Sequence, residues 1–192
     1  MSIGQRVSDT IQKLQESNPE SALHQICAAI EATVKRESGA GGRSNYKNFI
    51  QQNMELITRI AFNSISGKNM YFELAHPDLP KDSNGVSSIQ DIFYHVVRCG
   101  LYHDAKLPDN LRFCDGKKIF TDTDGVLVLP SELIDGLLIA VVTSSVNSKE
   151  RALGDYVLTF PYANIAVNSL WGRRNELIWL LDAIAETRRI AE

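Results

Sequence analysis

The sequence predicts a mainly α-helical bundle of about five to six helices carrying a small antiparallel β-hairpin, in one domain over residues 1–192. Three observations carry that expectation. Apolar residues recur at three- and four-residue spacing along much of the chain; two segments carry strong helix-start signals; and the period shortens locally between Asn110 and Pro130. A hydrophobic content of 44% with 22% charged residues is ordinary for a globular chain, and the length allows a sizeable core.

Ile3, Val7, Ile11 and Leu14 predict a first amphipathic helix ending near Ser17. Asn18 can then cap a second helix with Pro19 at its first position and Glu20 complementing the dipole; its inner stripe is Ala22, Leu23, Ile26, Cys27, Ile30 and Val34, and it runs to about Ser38. Gly39-Ala40-Gly41-Gly42 breaks the chain before a third helix, from about Asn45 to Asn63, with Phe49, Ile50, Ile57, Ile60 and Ala61 inward. Residues 64–87 contain Gly67, Pro77, Pro80 and Gly85 and are expected to form an ordered, irregular excursion.

Ser88 and Asp91 have capping-box spacing, and Ile89, Ile92, Phe93, Val96, Val97 and Leu101 share one face of the helix that follows. From about 110 to 130, two Asp-Gly turns separate apolar pairs, which predicts an antiparallel hairpin or meander inserted on the helical body. Pro130-Ser131-Glu132 starts an apolar helix to about Asn147. Tyr156 to Phe160 then fits a short strand, and a last helix covers about Leu170 to Ile190, with Trp171, Leu177, Ile178, Leu181 and Ile184 inward.

Composition also excludes several classes. A net charge of −3 argues against binding of nucleic acid or membrane through bulk positive field, though not against a local basic cleft. Cys27, Cys99 and Cys114 have no metal-ligand spacing and fit reduced thiols in a cytoplasmic protein. The run from Leu133 to Val142 is too short to span a bilayer, and the chain from Met1 shows no apolar signal-peptide core, so no membrane association is expected. Gly39 to Gly42 lacks the Lys-Ser/Thr ending of a phosphate loop, and Asp122-Thr123-Asp124-Gly125 fits a hairpin turn better than a calcium loop. Neither a cofactor nor a metal is predicted. His24 and His76 have no companions at ligand spacing, and Arg173-Arg174 and Arg188-Arg189 read first as helix-end charges.

The segment that stands out is Tyr94 to Asp104, which sets Arg98, His95, His103, Tyr94 and Tyr102 around the end of an apolar helix. On a straight α-helix, residues five apart differ by about 140° around the axis, so Arg98 and His103 meet only if the last turn is distorted, for which Gly100 offers a place. A plainer arrangement is also open, in which both cations complement the C-terminal dipole of the helix.

Arg98-x4-His103, with Ala28-Ala29-Ile30-Glu31 on an upstream helix, resembles the HEPN superfamily, whose signature is R-x4-6-H. The wording Arg98-Cys99-Gly100-Leu101-Tyr102-His103 is similar to HEPN-like bacterial proteins of unassigned role, and the resemblance covers roughly residues 19–105. It implies a homodimer whose motif helices line a shared cleft, and metal-independent cleavage of RNA in a toxin–antitoxin, abortive-infection or other defence or stress setting, with an antitoxin or other protein as a further partner. In that frame His103 moves protons and Arg98 binds phosphate. Supporting positions are Glu31, as a carboxylate that orients Arg98 or is simply solvated, His95, at the cleft or as a half-buried helix residue, and Tyr102 as a base-stacking or packing ring. The alternative is a catalytically silent interaction or dimerisation module that binds RNA, a nucleotide or a protein partner.

Overall fold

The computed structural model describes residues 1–62, 67–160 and 163–191. Helix α1 (Ile3–Gln15) is capped by Ser2, whose hydroxyl accepts from the Gln5 N–H. Helix α2 (Pro19–Ser38) starts where Asn18 accepts from the Ser21 N–H and ends at Gly39 in the left-handed region, φ 74°. Helix α3 (Arg43–Ala61) follows the glycine loop, with Gly42 as an N-cap that supplies no side-chain hydrogen bond. The expected excursion begins in part at residues 63–66, which lie outside the described residues; β1 (Tyr71–Phe72) and β2 (Ser87–Ser88) then pair antiparallel.

Ser88 caps the next helix as expected, accepting from the Asp91 N–H at 3.2 Å. That helix has three joined parts: α4 (Ile89–Asp91), a π-helical stretch (Ile92–Arg98) and α5 (Cys99–His103). The chain continues through β3 (Leu111–Cys114), β4 (Phe120–Thr121) and β5 (Leu127–Pro130), then α6 (Glu132–Thr143) and a 3-10 turn (Ser145–Asn147). The hairpin of β6 (Val157–Phe160) and β7 (Ala163–Ala166), a 3-10 turn (Val167–Ser169) and α7 (Arg174–Ala191) complete it.

The core runs through α2, α3, the composite helix and α6. Every residue of the predicted inner stripes of α2 and α3 is buried, as are Ile89, Ile92, Phe93, Val96, Val97 and Leu101. Helix α6 is buried almost all round and crosses α3 at Gly136, where an added Cβ would lie 2.5 Å from the Ile57 carbonyl oxygen. A side chain there would force the helices apart.

The architecture is mixed α/β, which corrects the expected all-α helical bundle with one hairpin. Among the described residues seven short strands form three small sheets. The segment near 110–130 is not a simple antiparallel hairpin: β3 pairs parallel with β5, and β4 pairs antiparallel with the other edge of β5. The reason lies in burial and length. All of β5 is buried, so its run Leu127-Val128-Leu129-Pro130 shows no alternation from which a partner could be read. Strands β1, β2 and β4 have two residues each, too few to show a period. The strand expected at Tyr156–Phe160 is present as β6; its partner β7 was not expected.

Candidate functional site

The site is built on the π-helical stretch. Tyr94, Arg98 and Tyr102 are spaced by four, so successive turns of one helix bring them onto a common face. The Arg98 guanidinium carbon lies 5.2 Å from the Tyr94 ring centroid and 5.2 Å from that of Tyr102, inside the range at which a cation is attracted by a ring face. From α2, His24 stacks on Tyr102 at 5.2 Å and 28°. From α3, Tyr46 meets Tyr94 edge-on at 5.5 Å. All three groups in the central array lie in the segment singled out from sequence, where Arg98 and Tyr102 were assigned roles and Tyr94 was not. His24 and Tyr46 arrive from other helices and left no signal in theirs.

Arg98 is also paired with Glu31 of α2. The closest approach, Nη2 to Oε2 at 3.6 Å, is an ion pair too long for a hydrogen bond. The other carboxylate oxygen accepts from the Gly42 N–H at 3.3 Å. A Cβ at Gly41 would lie 2.4 Å from that oxygen, so the absence of a side chain lets the loop close on Glu31. Arg98 Nε and Glu31 Oε2 are each buried with no hydrogen-bond partner, and the buried Tyr46 hydroxyl has the Cys27 thiol beside it. An orphaned polar atom of this kind is costly, and two together mark a polar pocket.

Electrostatics tie the same groups together. Burial works against the charge of Arg98, but the Cys99 sulfur at 3.9 Å and the Glu31 carboxylate outweigh it, and the pKa is raised. Burial pushes the Cys27 thiol up to about 12, with the Tyr46 hydroxyl opposing, and drives Tyr46 well above its ordinary value. Burial likewise raises Tyr102, against the opposing charge of Arg6 from α1. The raised Cys27 thiol and Tyr46 and Tyr102 phenols are thereby held neutral around the Arg98–Glu31 ion pair.

The remaining predicted residues are placed differently. His95 is mostly buried; its Nε2 is 4.0 Å from Asp91 Oδ1, and Asp91 is already taken by Lys47 at 2.5 Å. Burial and then the Arg43 charge lower the His95 pKa, so this imidazole favours its neutral form. His103, the last residue of α5, is exposed, and among the described residues no hydrogen bond, ion pair or ring contact joins it to Arg98. The helix is distorted, but upstream, at Ile92–Arg98, and the turn from Cys99 to His103 is regular α-helix. Gly100 serves packing instead: an added Cβ there would approach the Lys106 carbonyl oxygen to 3.1 Å.

Elsewhere, Arg174 donates to Asn53 Oδ1 and to the Gln52 carbonyl oxygen, while the side chains of Arg188 and Arg189 lie outside the described residues. Among the described residues no group of three or more His, Cys, Asp or Glu side chains is placed to hold a metal ion, and no helix is long and apolar enough to cross a membrane.

Fold and site together define the class: a mixed α/β domain in which a π-distorted helix holds a half-buried arginine between two tyrosines. The chain belongs to the Rv1289 family, which it matches over residues 2–190. No curated protein and no solved structure matches it.

Proposed function

We propose that the chain is a cytoplasmic, homodimeric RNA-binding protein with a HEPN-like Arg98-x4-His103 motif, working in a defence or stress setting. One observation carries this reading: the Arg98 guanidinium is held between Tyr94 and Tyr102, and Tyr102 remains 46% exposed. A planar cation fixed beside an open aromatic ring can take a phosphate and a stacked base of the same nucleotide strand. Arg6 adds a second guanidinium near that ring, in a chain whose average is acidic.

Cleavage follows if the dimer brings a His103 to the phosphate held by Arg98. The 2′-oxygen would attack phosphorus and lose its proton to a base, Arg98 would stabilise the charge on the phosphorane, and the 5′-oxygen would leave with a proton from an acid. His103 can fill either proton-transfer role in that sequence. A second reading, a silent module that binds RNA, a nucleotide or a protein partner such as an antitoxin, is favoured by the lack of contact between Arg98 and His103 within one chain.

The test uses a fluorescently labelled single-stranded RNA with EDTA present, read for binding by anisotropy and for cleavage on a gel. Arg98→Ala should abolish binding. If the wild type also cuts and His103→Ala binds without cutting, the enzymatic reading holds. Binding without cutting in the wild type selects the silent module, and binding undiminished in Arg98→Ala refutes both.

A further inference from the structure

Glu31 stands where an anionic ligand of Arg98 would stand. Its carboxylate is 3.6 Å from the guanidinium, close enough to neutralise it and too far to hydrogen-bond it. A residue that positioned Arg98 would use the directional, bidentate geometry open to a carboxylate and a guanidinium. Here Arg98 Nε has no acceptor and Glu31 Oε2 has no donor, although both are buried. The pair is thus electrostatically satisfied and geometrically unsatisfied.

The Tyr46 side chain is fully buried, and its hydroxyl, beside the Cys27 thiol, lies within electrostatic reach of Arg98 and Glu31. Glu31 is anchored at its other oxygen by the Gly42 N–H, so a turn about that anchor can carry Oε2 away from Arg98 without releasing the side chain. The side chain of Glu31 is 31% exposed, which leaves this motion open to a ligand arriving from solvent.

We infer that Glu31 is an internal carboxylate plug on Arg98, which an RNA phosphate displaces toward the Tyr46 hydroxyl, so that Glu31 restrains RNA binding. This rests on the reading of Arg98 as the phosphate ligand. A phosphate oxygen would give Arg98 Nε the acceptor it lacks, and the displaced carboxylate would give the Tyr46 O–H a stronger acceptor than the Cys27 sulfur. The phosphate-bound state is then hydrogen-bonded more completely than the ligand-free state, which is the condition for a ligand to shift the balance.

The experiment measures the affinity of a labelled oligouridylate for the wild type, Glu31→Gln, Arg98→Ala and the double variant. Glu55→Gln, on the exposed face of α3, controls for loss of one negative charge. Glu31→Gln keeps the acceptor for Gly42 and should bind on the order of tenfold more tightly than the wild type, a gain that disappears with Arg98→Ala and is not matched by Glu55→Gln. Equal or weaker binding by Glu31→Gln, with binding lost in Arg98→Ala, overturns the plug while leaving the phosphate reading intact. Undiminished binding in Arg98→Ala, or no binding by any variant, overturns the phosphate reading and the plug with it. If Glu31→Gln fails to fold, Tyr46→Phe decides: it removes the hydroxyl that receives the displaced carboxylate and should weaken wild-type binding several-fold, and an unchanged affinity overturns the plug.

Discussion

Tyr102 carries two roles in one side chain, a ring face for Arg98 and a surface for a nucleobase. Replacing it with alanine should weaken RNA binding by about 1–3 kcal/mol, the range for one base–aromatic stack, as read by anisotropy titration, and the melting temperature should move little because the ring is half exposed. A second residue is set against stability. Burial, and then the neighbouring Glu132 carboxylate, raise Asp135 on the first turn of α6 from 3.8 to about 6. The folded state therefore holds a proton that the unfolded state releases above pH 3.8, so its contribution is fully present below that value and is lost as pH rises through about 6. Asp135→Asn should stabilise the protein by roughly 2 kcal/mol at neutral pH and by almost nothing near pH 3.5, measured by urea unfolding at both.

Among the elements, the contact of α3 with α6 is the tightest constraint. Glycine within a helix is ordinarily improved by alanine, by up to about 1 kcal/mol. At Gly136 the sign should reverse, because the added methyl would collide with the Ile57 backbone at 2.5 Å and 2.9 Å. We expect Gly136→Ala to lose about 1–3 kcal/mol, seen as a lower urea midpoint at constant slope; a raised midpoint would show that the helices separate freely. The composite helix is the other decisive element. Its cap and inner stripe were legible because Ser88, Asp91 and the apolar spacing act locally. The π-helical register from Ile92 to Arg98 was not, since it depends on what the surrounding helices require of Tyr94 and Arg98.

The whole molecule is closed by contacts between its beginning and its later loops. The Gly4 N–H donates to Glu150 at 2.8 Å, the Leu153 N–H donates to Ser8 at 2.7 Å, and Arg36 reaches both Glu150 and Asn147. Buried Asn147 in turn donates to Thr33 of α2 at 2.9 Å. These links predict one cooperative unfolding unit. Far-UV circular dichroism, which follows the helices, and the fluorescence of buried Trp171 should give coincident transitions, and Glu150→Ala should lower both together; separate transitions would contradict that picture.

What the sequence determined by itself was the local part: the start of α2 at Asn18-Pro19, the cap at Ser88, the inner faces of α2, α3 and the composite helix, and the strand at Tyr156–Phe160. Caps and periodic faces are written within a few neighbouring residues. Only the tertiary structure decided the rest. Whether β3 pairs parallel or antiparallel with β5, that His24 and Tyr46 join the arginine site, and that His103 makes no contact with Arg98 all depend on where distant segments are brought in space. A linear pattern of residue types carries no record of that, because the same apolar strand or exposed helix end is compatible with several partners until packing selects one.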